Sequence, residues 1–468
     1  MPEAMMNYGL RLTREQHRQL EDHVLRSDGL EAGALLRCGR RVGRKRHILT
    51  TIEVRPIPLA ACQRTAVNLT WPTDFALDFI EAAAKRGQAV VKVHSHPGGF
   101  EHFSHLDDAA DYSFLGAVHD FCGDGQPHGS AVMLPGGRMF ARALTADGSF
   151  AHFDRVCSVG EQISLWLSEC DYRPPEFVSR HAQAFGAGTL EQLQRMSAAV
   201  IGVSGTGSPL VAELARSGIG RLVLVDPKLV KEANLNRIAF SRHADIGRPK
   251  VEVVGDAVRA MGFGTEVVQV HGDVADPDTV QTVAECDILF GCMDSLSGRD
   301  ILNRIAAFYT LPYIDVGVSL DARPNGGVDA VWASVHYLQP SRSSLRSRGV
   351  FNGEEVRAEA MRRNDPDEYA KQAEQRYIRG VEEGRPAVMP LNAFASSVAV
   401  LEFFARLHPF RYDNRFALQR FALHDGLTTR EAESEFAPCP LLGKYVGQGD
   451  VDPILNRPAL SGFGARDS

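Results

Sequence analysis

Three side chains in one short stretch have the types and spacing to hold a metal ion. His94 and His96 lie two residues apart in VVKVHSHPGG, at the end of an apolar run, 90–93, that reads as a strand. Residues i and i+2 of a strand face the same side, so both imidazoles can turn to one ion. A carboxylate on the helix that follows, in HFSHLDD, can close a third corner. Two imidazoles and one carboxylate leave a coordination position open. That is the pattern of catalytic rather than structural zinc, and water at the open position has a pKa lowered to about 7.

A second chemistry is written between residues 198 and 250. An apolar run, 198–203, leads into a turn containing Gly202, Gly205 and Gly207. A helical pattern follows, with Val211, Leu214, Ala215 and Ile219 on one face, and a second apolar run, 222–225, ends at Asp226. This order puts phosphates on a helix N-terminus and a ribose on the acid. Ser204 stands where a dinucleotide fingerprint would carry its second glycine. Asn234 and Arg237 then appear in NLNR and Lys250 in DIGRPK. Two fixed cations there suit an enzyme that handles the triphosphate of ATP, because they offset charge building on departing pyrophosphate. Asp294, in GCMDS, reads as a magnesium-handling carboxylate at a strand end or as the N-cap of the next helix.

Positioning these groups takes two systems of elements. Residues 12–25 have helical periodicity, 31–36 and 47–54 read as strands, and 74–84 as a helix with Phe75, Phe79, Ile80 and Ala83 on one face. Ser104 is placed to cap the helix that starts just after it. From 198 onward strands (267–270, 288–290, 312–318) alternate with helices (250–261, 278–284, 299–309). The alternation predicts an open, largely parallel sheet with its ligand at the strand C-terminal ends. Residues 163–167 are expected to be a short helix in a connector. The polar, mixed-charge stretch 340–385 is expected to expose two helices, 354–361 and 368–381, and 390–407 to form an apolar helix.

The pattern H-x-H-P, then Ser104 and Asp107, with Glu31 upstream, resembles the JAMM (JAB/MPN) zinc isopeptidases over about residues 10–150. The resemblance implies His94, His96 and Asp107 as zinc ligands, Asp108 being the rival carboxylate. It implies Glu31 as general base and Ser104 as a partner of the oxyanion. The second segment resembles the ThiF family, which includes ubiquitin-activating enzymes and molybdopterin-synthase adenylyltransferases, over about residues 175–410. That likeness rests on Gly202, Gly205, Gly207, Asp226, Asn234, Arg237, Lys250 and Asp294. It implies Mg2+ and ATP as cofactors and adenylation of the C-terminus of a ubiquitin-like or sulfur-carrier-like β-grasp protein. It also implies a homodimer in which Arg180 reaches the phosphates, and it admits a conjugating enzyme as a further partner.

The expected fold class is therefore α/β: an N-terminal α+β JAB/MPN domain at 1–155, a linker at 156–185, and a Rossmann-like ThiF-type adenylation domain at 186–410. Residues 340–385 form its polar crossover insertion and 411–468 a surface tail. The net charge of −7 argues against a nucleic-acid partner. No run of about 18 apolar residues reads as a membrane span, and no signal-peptide profile is seen, so a cytoplasmic protein is expected. None of the eight cysteines falls between Cys292 and Cys439, where thioester-forming relatives carry their acceptor. Cys439 lacks the second cysteine of a structural zinc pair. The fused arrangement suggests a prokaryotic ubiquitin-like conjugation system, with antiphage defence as one setting. Sulfur-carrier activation for cofactor biosynthesis and a non-catalytic sensor of ubiquitin-like tails stay open as alternatives.

Overall fold

The computed structural model describes residues 6–323, 326–364, 367, 369 and 388–460. They form two units, each with its own sheet. The first comprises the described residues up to 171 with 308–310 and 445–456; the second holds the remainder.

In the first unit the strands are β1 (Asn7–Thr13), β2 (Gly33–Val42), β3 (Arg46–Pro56), β4 (Gln63–Arg64), β5 (Leu69–Thr70), β6 (Ala89–Ser95), β7 (His128–Met133), β8 (Met139–Leu144), β9 (Phe150–Val159) and β10 (Ile163–Leu167). The helices are α1 (Arg14–Val24), α2 (Leu77–Ala84) and α3 (His105–Cys122). The sheet runs β1-β3-β2-β6-β7-β8-β9-β10, and β1 also pairs with β9, so the sheet closes on itself. Closure pairs β1 on both sides and leaves β10, which pairs with β9 alone, as an edge strand. Leu10, Leu12, Leu36, Val91, Val93 and Met133 fill one core with Leu20 and Val24 of α1. Leu35, Ile57, Phe79, Val90 and Val118 form a second core with α2 and α3. β6 is buried along its whole length, as a strand covered on both faces must be.

Two expectations are corrected here. Residues 163–167 are strand β10, antiparallel to β9 with Ile163 opposite Val159. In ISLWL the buried Ile163 and Leu165 alternate with partly exposed Ser164 and Trp166, a period of two that five residues could not distinguish from a helical turn. The expected linker therefore begins with strand, since β9 and β10 complete the first sheet. The expected surface tail is structured too. The Gly447 carbonyl accepts from Gly39 N (3.1 Å) and Thr50 Oγ1 (2.8 Å), and Asp450 receives Arg41 Nη1 (3.2 Å).

The second unit contains α4 (Ser179–Arg195), β11 (Ser197–Ile201), α5 (Gly207–Arg216), β12 (Arg221–Val225), α6 (Lys250–Ala260), β13 (Glu266–Val270), α7 (Pro277–Ala284), β14 (Ile288–Gly291), α8 (Leu296–Phe308), β15 (Tyr313–Ala322), β16 (Val328–Leu338), α9 (Gly353–Asn364), α10 (Met389–Leu407), β17 (Phe416–Ala422) and β18 (Leu427–Ala432). Its strand order is β13-β12-β11-β14-β15-β16-β17-β18. The first five strands are parallel, and β16–β18 continue antiparallel. The order reverses at β11, so the C-terminal ends of β11 and β14 flank the crevice where such sheets bind ligands. The antiparallel extension, two of its three strands from beyond residue 410, was hidden in sequence because it lacks crossover helices. The helix expected at 368–381 lies outside the described residues except for 369. Among the described residues no helix is long and apolar enough to cross a membrane.

Candidate functional site

The first cluster sits where β6 ends. His94 is on β6, paired with Gly33 of β2, and His96 follows the strand. Asp107 is in the first turn of α3. Its carboxylate lies 2.9 Å from His94 Nε2 and 3.4 Å from His96 Nε2, and the two Nε2 atoms are 3.1 Å apart. All three donors fall within 4.8 Å of one another. His96 Nδ1 donates to the Phe100 carbonyl at 2.7 Å. A carbonyl only accepts, so the proton is on Nδ1 and the Nε2 lone pair faces the cluster. Two buried imidazole nitrogens in such contact, with one carboxylate, fit a zinc ion as their shared partner.

The neighbours explain why Asp107 and not Asp108 takes this place. Asp108 turns away to Arg142 Nη1 at 2.5 Å. One turn beyond Asp107, the fully buried Asp111 binds Lys92 of β6 and, at 2.7 Å, Arg142 Nη2 of β8. These ion pairs fix the start of α3 against the strand that carries His94. Sequence reading missed them, and the only signal available was the i, i+4 spacing of the two aspartates. Ser104 caps α3: its Oγ accepts from Asp107 N (3.2 Å) and donates to Asp107 Oδ2 (2.7 Å). Its one hydroxyl proton is thus committed to Asp107, and reaching an oxyanion requires it to turn. His105 is fully exposed and outside the cluster.

Glu31 precedes β2, its backbone N–H bound to the Thr65 carbonyl at 2.8 Å. It is only 4 % exposed. Burial pushes its carboxyl up to about 7, with the neighbouring His96 opposing and Asp107 adding to the shift. A carboxyl near neutrality is suited to taking and returning a proton. Burial also disfavours a charged His96, but its bonds to Asp107 and the Phe100 carbonyl outweigh that and raise it above its ordinary value. Burial lowers His94. A zinc ion must displace the His96 proton, so zinc affinity is expected to fall about tenfold per pH unit once pH drops below the raised His96 value. Competition with a chelator across that range measures it, and a flat affinity would remove His96 from the ligand set.

The second cluster lies at the C-terminal ends of β11, β12 and β14. The turn after β11 is held tightly. A Cβ on Gly207 would lie 1.8 Å from the Gly202 carbonyl oxygen, and one on Gly205 2.5 Å from Asn392 Nδ2. α5 starts at Gly207 with no side chain capping it; Ser208 N already donates to the Ser204 carbonyl (3.0 Å) and Leu210 N to that of Thr206 (3.3 Å), and Pro209 has no N–H, so among its first four residues Gly207 N is the donor left for an anion. Asp226, buried at the end of β12, accepts from Val203 N (3.0 Å) and Lys228 N (2.9 Å). Its carboxylate therefore ties the glycine turn to β12 and keeps lone pairs to spare. Asn234 Oδ1 accepts from Lys231 N at 3.1 Å, closing the loop that carries Arg237. Lys250 is 5 % exposed and its Nζ reaches Ser204 Oγ at 3.3 Å. Burial pulls Lys250 below its ordinary value, and Asp226, Lys228, Arg237 and Asp294 all act on it. Four of the residues singled out in sequence thus share one electrostatic neighbourhood.

Asp294 is exposed between β14 and α8. Among the described residues the start of α8 is capped by others: Leu296 N (3.2 Å) and Ser297 N (2.6 Å) donate to Glu359 of α9, and Gly298 N to Ser295 Oγ (3.1 Å). Asp294 is thereby left to other partners. Glu359 was read only as part of a solvated, mixed-charge face; the fold brings α9 back to the helix beside Asp294. Asn392 was also missed. It is 2 % exposed, lies against the glycine turn, and its Nδ2 has no hydrogen-bond acceptor. Arg180 stands exposed in the first turn of α4, and among the described residues no contact joins it to this cluster. Cys292 is buried and its thiol is pushed up to about 12 by burial; Cys439 is buried as well.

Residues 178–439 match the ThiF family, and residues 13–140 match the family described as prokaryotic homologs of the JAB domain. Among curated proteins, the SAMP-activating enzyme E1 of Haloferax volcanii is 31 % identical over 115 residues, 25 % of this chain and 43 % of the relative. The adenylyltransferase and sulfurtransferase MOCS3-1 of Zea mays is 30 % identical over 130 residues, 28 % of either chain. The match thus spans less than half the length of these relatives. Among solved structures, E. coli MccB with ATP is 17 % identical with a TM-score of 0.42, covering 57 % of this chain and 74 % of that one.

Proposed function

This chain belongs to the ThiF family and carries a JAB-type domain ahead of its ThiF domain, and from that premise we propose that it adenylates the C-terminal carboxylate of a small β-grasp protein and hydrolyses an amide bond at the same kind of C-terminus. The observation that carries the reading is that buried Lys250 reaches Ser204 of the glycine turn at 3.3 Å while Asp226 is tied to the same turn through Val203 N at 3.0 Å.

In the adenylation reaction the substrate carboxylate attacks the α-phosphorus of ATP, and the bond to pyrophosphate breaks. Gly207 N, at the start of α5, receives a phosphate oxygen, and Asp226 receives the ribose hydroxyls. Lys250 and Arg237 offset the charge on the leaving pyrophosphate. Asp294 is the residue to hold Mg2+. Arg180 completes the set only from a second copy, so a homodimer belongs to the reading. The activated tail passes to an acceptor other than Cys292, whose thiol burial keeps protonated. That acceptor is an amine on a conjugating pathway or a sulfur donor.

In the first unit His94, His96 and Asp107 would hold Zn2+, which when bound polarises a carbonyl and acidifies water. Glu31 takes the proton of the attacking water and returns it to the leaving amine. Ser104 keeps Asp107 in place and, with its hydroxyl turned, donates to the developing oxyanion. Whether the cut trims a precursor or releases a conjugate is a matter of substrate. The setting we infer is a prokaryotic ubiquitin-like pathway in the cytoplasm.

The test incubates a His94→Ala/His96→Ala variant with ATP, Mg2+ and native cell extract, and reads the intact mass of captured small proteins. A C-terminal adduct of one AMP, absent with Asp294→Ala, is the expected result. AMP on a small molecule instead would point to metabolite biosynthesis, and no ATP turnover at all would sink the enzymatic reading in favour of a tail sensor.

A further inference from the structure

The two flanks of the histidine cluster differ. Beside Glu31 lies the β4–β5 hairpin, through Thr65. On the other flank, wholly within the first unit, is a cavity of about 420 Å³ that the proposed chemistry does not use. Phe103, Met139, Phe140, Phe153, Trp166 and Leu167 form much of its wall.

This cavity lies next to the cluster, and Phe140 of its wall faces His96. The His96 and Phe140 rings are 6.4 Å apart, and Phe103 packs edge-on against Phe140 at 5.1 Å. The loop that forms its rim begins at Phe100, whose carbonyl holds His96. Its three guanidinium groups are already engaged. Arg142 lies 3.8 Å over the Phe103 ring and binds Asp108 and Asp111. Arg138 pairs with Glu101 at 3.1 Å, and Arg155 with Asp154 at 2.8 Å. The carboxylates of Glu101, Asp108 and Glu169 also line it, so the wall presents an aromatic and aliphatic patch with acidic groups around it, not a site for an anion. Its size is in the range of small-ligand pockets, roughly 300–1,000 Å³, enough for one large side chain and its adjoining backbone.

We infer that this cavity is a specificity subsite of the amide-hydrolysing centre, taking a large apolar or aromatic side chain of the peptide next to the scissile bond. The inference rests on the hydrolytic reading of His94, His96 and Asp107, and its test separates the two. The full chain, loaded with zinc, is labelled with 5-fluorotryptophan. Its three tryptophans, Trp71, Trp166 and Trp332, then report separately by 19F NMR, with Trp166 assigned by Trp166→Phe. N-acetylphenylalaninamide should give a saturable Trp166 shift at a concentration at least about tenfold below that needed for N-acetylglycinamide, with Trp332 silent. Phe103→Ala should weaken that response while bound zinc stays stoichiometric. The same zinc-loaded chain, given a mixed peptide library, should cut beside Phe, Trp, Leu or Met at least about tenfold more often than beside Gly, Asp or Glu. A shift that is unsaturable, or equal for both amides, overturns the subsite even if peptides are cut. A selective shift with no peptide cut by the loaded chain overturns the hydrolytic reading, and the subsite assignment falls with it.

Discussion

Replacing His94 with alanine is expected to abolish stoichiometric zinc binding and to reduce amide hydrolysis by at least about a thousandfold, while ATP-dependent AMP transfer is unchanged. His94 Nε2 contacts both Asp107 and His96, so its loss leaves two ligands where three were poised. A pair of donors without the third does not hold zinc in a set geometry. The side chain is buried, so the variant also leaves a small void, and its thermal midpoint should be followed beside the metal content. His105→Ala is the matched control, because that ring is fully exposed and lies outside the cluster. Metal analysis after dialysis, with peptide cleavage on the same samples, reads the result. Stoichiometric zinc in His94→Ala would remove this residue from the site.

Lys250→Ala is the converse. It is expected to lower AMP transfer by about 10²- to 10³-fold and to leave zinc content and amide hydrolysis intact. The ammonium group is buried beside Ser204 and feels Asp226, Arg237 and Asp294 together. Charge grows on the pyrophosphate as its bond to the α-phosphorus breaks, so a cation in that place stabilises the transition state more than bound ATP. The loss should then appear chiefly in kcat, with a smaller change in KM for ATP. Pyrophosphate exchange measured over a range of ATP concentrations separates the two. A defect confined to KM would make Lys250 a ground-state contact. A loss of zinc in the same variant would mean that the substitution had damaged the fold and not a site.

Much of this was legible without coordinates because the chemistry is locally encoded. The His94-Ser95-His96 spacing sets two imidazoles on one side of a strand, and residues 198–226 spell strand, turn, helix, strand and acid in order. Both depend on periodicities that a few residues suffice to show. Ser104 and Asp107 form a capping box, itself a short-range signal. The parallel sheet followed from βα alternation, and the closed first sheet was not foreseen, because β1 meets β9 across well over a hundred residues.

What tertiary structure alone decided are the contacts between residues that sequence does not relate. Glu359, in a stretch whose charge pattern says only that it is wet, accepts from the start of α8 beside Asp294. Asn392 meets Gly205 because α10 returns to the glycine turn. The choice of Asp107 over Asp108 was made by Arg142, a strand residue more than thirty positions away that draws Asp108 aside and locks Asp111. Sequence by itself thus determined which chemical groups are present and on which elements they ride, since backbone periodicity is local. Which carboxylate faces the imidazoles, which helix start is already capped, and that an aromatic-walled cavity lies next to the cluster were decided by packing at long range.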